Sequence, residues 1–241
     1  MFFKTSGANL YYEKCGIGKP LILLHGNGES HDIFNKAIPL LAKHFTVYAV
    51  DSRGHGKSSA ASELHYADMA QDIHELVCGL DLDTPIVYGF SDGGIIALLM
   101  AIHYPGCLSG IIASGVNANP KGIKSVWFTL FKIYYHLTKS PMFKLMLSEP
   151  DITTDMLNKI KIPVSILGGS RDMIKINHMK WIAESVTNGQ FTLLKGETHS
   201  SYVIHNEKLA KIIMDGLLKN GQRIYDVHTL TDTVNKETTN E

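Results

Sequence analysis

Gly89-Phe90-Ser91-Asp92-Gly93 is the stretch of this sequence that decides the fold. It ends an apolar run at residues 85–90, which predicts a buried strand, and opens a segment with helical spacing at residues 92–104. The pattern G-x-S-x-G at a strand-to-helix junction predicts a sharp turn that holds Ser91 in strained backbone with its hydroxyl above the sheet. A serine that merely caps the helix would fit the same string, so the pattern needs support from elsewhere in the chain.

The rest of the chain alternates strand-like and helix-like segments. Apolar runs predict further strands at residues 21–24, 45–50, 108–114, 163–167 and 191–194. Apolar residues at helical spacing predict further helices at residues 33–44, 66–80, 174–186 and 201–218. This alternation predicts an α/β fold with a mostly parallel, doubly wound sheet, led by an antiparallel hairpin from residues 2–5 and 10–14.

Two segments depart from this rhythm. Residues 117–162 contain an aromatic helical stretch followed by prolines and short polar turns, which predicts a small inserted helical lid. Residues 221–241 are polar with almost no apolar periodicity, which predicts a disordered C-terminal tail. The sequence therefore predicts one domain over residues 1–220, followed by the tail.

A serine nucleophile needs a base to take its proton and an acid to orient that base. Asp172 ends the loop after strand 163–167, and His199 ends the loop after strand 191–194. Both follow the carboxyl ends of predicted strands, where open α/β sheets bind their ligands, so we expect them to act with Ser91. Asp151 and His205 are the nearest alternatives for the acid and the base.

A third loop, His25-Gly26-Asn27-Gly28, follows strand 21–24 and is suited to bind negative charge that develops on a substrate oxygen. We assign that oxyanion hole to the backbone N–H groups of Asn27 and Asp92, the second of which also opens a helix. His25 is expected to fix loop geometry by hydrogen bonds, as is His55. Glu29 could add a second carboxylate here, although a solvated position in the turn is the simpler interpretation.

Together with Asp51-Ser52-Arg53-Gly54-His55-Gly56-Lys57-Ser58, a loop of the D-x-R-G-x-G-x-S kind, these motifs resemble those of the α/β-hydrolase superfamily in its compact esterase-like branch. The resemblance covers roughly residues 1–220. It implies an eight-stranded sheet, a Ser91–His199–Asp172 triad, no cofactor, and reaction through an acyl-enzyme. The resemblance does not name a substrate, and our leading hypothesis is cleavage of a small or medium carboxylic ester. The alternatives are hydrolysis of a C–C or amide bond by the same triad, and a ligand receptor with a vestigial triad.

Three residues are candidates for substrate binding. The Ser-Asp-Gly-Gly string is similar to that of some biphenyl-hydrolase-like members that cleave α-amino acid esters, so Asp92 could meet a substrate cation. An acidic residue in the first turn of a helix, where the helix dipole favours it, is the simpler interpretation of Asp92. Trp127 and Phe131 could wall an acyl pocket, and ordinary packing of the inserted helices is the alternative.

Composition and charge limit the classes of partner that this chain is expected to bind. The 241 residues contain 23 Lys plus Arg and 23 Asp plus Glu, so no net field attracts nucleic acid or an anionic membrane, and neither is expected as a partner. No apolar run has the length of a signal peptide or a membrane span, which predicts a cytoplasmic location. The three cysteines lack the spacing of a zinc site or a disulfide framework, and no metal is expected. The expected partner is a small-molecule ester, and nothing in the sequence indicates the oligomeric state.

Overall fold

The computed structural model describes residues 1–219 and 222–223 and is built around one large sheet. Its eight strands are β1 (Phe2–Lys4), β2 (Asn9–Cys15), β3 (Lys19–Leu24), β4 (Phe45–Val50), β5 (Ile86–Phe90), β6 (Gly110–Ser114), β7 (Val164–Gly169) and β8 (Gly189–Leu194). They lie in the order β1-β2-β4-β3-β5-β6-β7-β8. β1 and β2 form an antiparallel hairpin, β2 pairs antiparallel with β4, and the other neighbours are parallel. The predicted eight-stranded, mostly parallel sheet is confirmed.

Helices cover both faces of this sheet, because its strands are apolar on both sides. The helices are α1 (Ile38–Leu41), α2 (Tyr66–Gly79), α3 (Asp92–His103), α4 (Ser125–Thr138), α5 (Pro141–Ser148), α6 (Thr154–Leu157), α7 (Ile176–Glu184) and α8 (Lys208–Gly216). Side chains of α1 and α8 pack into one buried apolar cluster, and those of α2, α3 and α7 into another. The parallel strands between the two layers end at a common edge, and the loops at that edge carry the candidate site.

Two predicted helices are interrupted by a local feature in the structure. The helix expected at residues 33–44 is a short 3₁₀ turn, His31–Phe34, followed by α1, where Pro39 has no N–H to continue an earlier helix and lies at the start of the new one. The helix expected from residue 201 begins only at Lys208. His205 has a positive φ of 48°, which interrupts a helix, and the Asn206 side chain accepts the Lys208 N–H at 3.0 Å.

Helices α4, α5 and α6 lie between β6 and β7, and all three fall within residues 117–162. The carbonyl of Met142 in α5 accepts a hydrogen bond from Asn27 Nδ2 at 3.3 Å, so this segment contacts the loop after β3. The tail expected at 221–241 lies outside the described residues except for Gln222 and Arg223. In the described part of the chain, no helix is both long and apolar enough to cross a lipid bilayer.

Candidate active site

Ser91 occupies a strained turn between β5 and α3. Its φ of +52° and ψ of −113° lie in a region that L-residues rarely adopt. The turn is held by hydrogen bonds from the Ser91 N–H to the Ser114 carbonyl at 2.8 Å and from the Gly94 N–H to the Ser91 carbonyl at 2.9 Å. A Cβ at Gly93 would overlap the Leu24 carbonyl, and one at Gly89 would overlap Gly93, so both glycines of the motif are required by close backbone approach.

The Ser91 side chain makes no capping hydrogen bond to α3, which removes the helix-cap explanation of this serine. Its Oγ instead lies 3.1 Å from His199 Nε2. The other ring nitrogen of His199, Nδ1, lies 2.7 Å from Oδ1 of Asp172. Three residues from separate loops, 108 and 27 positions apart in the chain, thus form one hydrogen-bonded series.

Two backbone N–H groups hold the Asp172 carboxylate in place independently of its contact with the imidazole. The side chain is fully buried, and Oδ1 accepts the Ile174 N–H at 2.9 Å while Oδ2 accepts the Gly169 N–H at 3.4 Å. Gly115, with φ of +62°, passes so close that a Cβ there would lie 2.7 Å from Cε1 of His199. The imidazole therefore lies in a slot that depends on a glycine after β6.

The rival acid and base lie elsewhere. Asp151 is exposed and borders a separate surface groove beside Pro150 and Lys175. His205 is exposed, and its Nδ1 lies 3.1 Å from Oδ1 of Asn35. Neither side chain contacts Ser91 or His199, so the geometry favours Asp172 and His199 over both alternatives.

The loop after β3 lies against the nucleophile turn. The Gly93 N–H donates to the His25 carbonyl at 3.1 Å, and a Cβ at Gly26 would lie 3.2 Å from Cβ of Ser91. Among the described residues, the backbone N–H groups of Asn27 and Asp92 have no intramolecular acceptor. They are therefore free to donate to a substrate oxygen, as an oxyanion hole requires.

His25 lies behind this loop. Its Nε2 accepts the Ser52 N–H at 3.0 Å, and its Nδ1 donates to the Gly26 carbonyl at 2.7 Å. Burial lowers the pKa of His25 to about 4, so the ring is neutral at pH 7 and its role is to connect two loops. His55 makes a similar local contact, with Nδ1 3.0 Å from the Arg53 carbonyl.

A cavity of about 460 Å³ opens at Ser91 and is mainly apolar. Its walls come from the loop after β3, the nucleophile turn, helices α4 and α5, and the loops after β7 and β8. The lining residues are Gly26, Asn27, Gly28, Glu29, Phe90, Ser91, Phe131, Met142, Phe143, Met146, Met173, His199 and Ser200. The volume falls in the range of small-molecule sites.

Only one of the three candidate substrate-binding residues lines this cavity. Phe131 does, whereas Trp127 of the same helix is 42% exposed and does not contribute to the wall. Asp92 is buried, and its carboxylate accepts hydrogen bonds from Asn27 Nδ2 at 2.8 Å and from Tyr66. Burial raises the pKa of Asp92 despite these two bonds. The structure therefore does not support the proposed contact between Asp92 and a substrate cation: Asp92 is not among the residues that line the cavity, and its carboxylate stabilises the loop of Asn27.

Glu29 is the carboxylate that does line the cavity. Its Oε2 accepts the Gly26 N–H at 3.0 Å, and the residue is half-buried. Burial raises its pKa to about 7, although the Gly26 hydrogen bond and the nearby His199 both act in the opposite direction. The solvated position that the turn suggested is therefore wrong, and the cavity holds a group that changes charge near neutral pH.

Phe90 and the methionines of the wall were not among the predicted site residues. The ring of Phe90 lies 4.9 Å from that of His199, centroid to centroid. Phe90 occupies the variable second position of G-x-S-x-G, so its place beside the nucleophile could have been predicted from the motif. Met142 and Met146 belong to a helix whose placement over the sheet no local pattern specifies.

Comparison with known proteins gives results at three levels. Residues 19–144 match the family model of the alpha/beta hydrolase fold. An uncharacterized hydrolase, YraK, of Bacillus subtilis is 32% identical over 105 residues, which is 42% of this chain and 39% of that protein. A pimeloyl-[acyl-carrier protein] methyl ester esterase of Yersinia pseudotuberculosis is 33% identical over 112 residues, 46% of this chain and 41% of that protein. The chain thus matches less than half the length of these curated relatives.

Among solved structures, a thermophilic esterase from Thermogutta terrifontis superposes with a TM-score of 0.75 at 21% identity. The superposition covers 90% of this chain and 96% of that one. At this identity the likeness concerns the fold, and it extends well beyond the segment matched by the family model.

Proposed function

Because the chain belongs to the alpha/beta hydrolase fold family, we propose that it is a serine hydrolase that cleaves small or medium carboxylic esters through an acyl-enzyme. The observation that carries the proposal is the hydrogen-bonded series from Ser91 through His199 to Asp172, which opens onto an apolar cavity. Relatives named as esterases support the choice of an ester substrate.

In the first half of the reaction, Ser91 Oγ attacks the ester carbonyl carbon while His199 Nε2 takes the hydroxyl proton. The carboxylate of Asp172 accepts the Nδ1–H of His199, so the unprotonated nitrogen faces Ser91. The carbonyl oxygen becomes negative and receives hydrogen bonds from the backbone N–H groups of Asn27 and Asp92. His199 then gives its proton to the departing alcohol, and an acyl group remains on Ser91.

In the second half, His199 removes a proton from water, and the resulting hydroxide attacks the acyl carbon. Collapse of this second tetrahedral intermediate releases the acid and returns the proton to Ser91. The acyl chain lies against the Met142, Phe143 and Phe131 side chains in this proposal, and the helices within residues 117–162 act as a lid over it.

A panel of p-nitrophenyl esters from acetyl to octanoyl tests this function, with labelling by a fluorophosphonate as an independent readout. We expect turnover that is greatest for short and medium acyl chains, since a cavity of about 460 Å³ accommodates such chains. Labelling without turnover of any ester would instead favour the amide, C–C bond or receptor alternatives. Absence of both labelling and turnover would contradict the proposal.

Glu29 predicts a pH-dependent charge preference. With a pKa of about 7, its carboxyl is mostly neutral at pH 6 and mostly ionised at pH 8. An ester whose acyl chain ends in a carboxylate stays anionic over this range, so it is repelled only at the higher pH. We expect kcat/KM for such an ester, divided by that for a neutral ester of equal length, to fall about fivefold between pH 6 and pH 8.

Dividing the two kcat/KM values cancels every effect of pH on the catalytic steps that the two substrates share. The variant Glu29→Gln keeps the size of the side chain and should make the ratio independent of pH. Glu63 is exposed, so Glu63→Gln is the matched control and should leave the decrease of this ratio between pH 6 and pH 8 unchanged. A pH-dependent ratio that persists in Glu29→Gln would exclude Glu29 as its source.

A further inference from the structure

The outward side of α4 has a band of exposed apolar side chains. No residue of this helix is buried, and six of the ten exposed large hydrophobic side chains in the described part of the chain belong to it. Val126 is 68% exposed and Leu137 is 73% exposed, at opposite ends of the helix. The six residues of this α4 band are Val126, Trp127, Leu130, Ile133, Tyr134 and Leu137.

The band is continuous along one side of the helix. At about 100° per residue, its six members fall within an arc of about 120°. The opposite side faces the protein: Phe131 lines the cavity, and Phe128 packs against the apolar core. The helix is thus apolar on both sides, which is unusual for a helix that has only one side packed on its own chain.

The segment that contains α4 and α5 is basic in sequence. Residues 120–148 contain five lysines and no aspartate or glutamate, although the whole chain has 23 charges of each sign. Lys144 pairs with Glu63 at 3.4 Å, and Lys124 donates to the Asp172 carbonyl. The other three lysines, Lys121, Lys132 and Lys139, are exposed. The balanced total therefore conceals a basic segment that includes the α4 band.

A second copy of this chain is a poor occupant for the α4 band. A helix of 14 residues is about 21 Å long, and a strip along one side of it offers a few hundred Å², whereas a stable interface needs about 800 Å² from each partner.

We propose that α4 docks this protein on the surface of an anionic lipid bilayer. An amphipathic helix at such a surface places its apolar side chains among the acyl chains and its lysines near the lipid phosphates. A membrane partner was not expected from the sequence because the net charge is zero and no segment is long enough to span a bilayer. Peripheral docking requires neither a net positive charge nor a spanning segment. The proposal rests on α4 alone and is independent of the proposed catalytic reaction.

Co-sedimentation with lipid vesicles tests this proposal on the full chain. We expect binding to vesicles of phosphatidylcholine mixed with phosphatidylglycerol, little binding to pure phosphatidylcholine, and weakening of the binding by salt. The double variant Ile133→Ser/Leu137→Ser should bind at least about tenfold more weakly, since two exposed apolar side chains no longer enter the lipid. In a Trp181→Phe background Trp127 is the only tryptophan, and its emission should shift to shorter wavelength on binding.

The control variants lie before the amino-terminal ends of strands β3 and β4, and the candidate site lies at the carboxyl ends of the strands. Ile17 is 82% exposed in the turn before β3, and Lys43 is exposed before β4. Ile17→Ser should bind like the parent, and Lys43→Glu should bind more strongly than Lys132→Glu. Measuring binding in Ser91→Ala protein as well separates docking from hydrolysis. The proposal is overturned if anionic vesicles do not bind, if Ile17→Ser weakens binding as much as the double variant, or if centrifugation shows a dimer that Ile133→Ser/Leu137→Ser dissociates.

Discussion

Ser91→Ala is expected to lower kcat for ester hydrolysis by at least about 10⁴-fold and to abolish labelling by a fluorophosphonate. The variant removes the oxygen that attacks the ester carbon while leaving His199, Asp172 and the N–H groups of Asn27 and Asp92 in place. The remaining groups bind and polarise an ester but cannot form an acyl-enzyme. Steady-state rates on p-nitrophenyl acetate and gel detection of a fluorescent phosphonate measure both effects.

Stability measurements distinguish loss of the nucleophile from loss of the fold. Ser91 has a positive φ of 52°, which is no harder for alanine than for serine, so Ser91→Ala should remain folded. Ser91→Gly should be equally inactive yet more stable than Ser91→Ala by about 1 kcal/mol, because glycine adopts this backbone without strain. Ser148→Ala, in an exposed serine of α5, should retain both rate and labelling. Retained labelling in Ser91→Ala would refute the assignment of the nucleophile.

Much of the fold could be predicted because the local patterns agree with one another. The run at residues 45–50 matches β4 at both ends, and helices α2 and α3 end within one residue of their predicted ends. The predictions failed where a local feature interrupts a helical pattern. Pro39 and the positive φ of His205 are such features, and apolar spacing alone does not register them.

The approach of Ser91, His199 and Asp172 was predictable because parallel strands end at one edge of the sheet, whatever their distance along the chain. The orientation of the side chains at that edge could not be predicted from the sequence. Asp92 is next to the nucleophile in sequence, yet its carboxylate is buried against Asn27 and Tyr66. Glu29 lies in a loop for which the sequence predicts a solvated position. It lines the cavity because residues of α4 and α5 form the facing wall. Such facts depend on long-range packing that no sequence window contains.

Asp172→Asn is expected to lower kcat by about 10³- to 10⁴-fold while leaving the site almost unchanged in shape. The native carboxylate accepts three N–H groups: His199 Nδ1, the backbone of Ile174 and the backbone of Gly169. An asparagine has one oxygen and one NH₂ group at this end, so it cannot accept all three. Either a buried N–H loses its acceptor, or the NH₂ group faces His199.

If the NH₂ group faces His199, Nδ1 must accept, and the ring proton moves to Nε2, where it points at Ser91 and blocks proton transfer. If the oxygen faces His199, the NH₂ group meets the Gly169 N–H, donor against donor, and the imidazolium formed during attack has no negative partner. Both arrangements lower kcat far more than they raise KM, because the Asp172 side chain touches His199 and not the cavity. Exposed Asp151→Asn is the matched control and should keep the parental rate, so equal losses in the two variants would point to Asp151 and remove Asp172 from the triad.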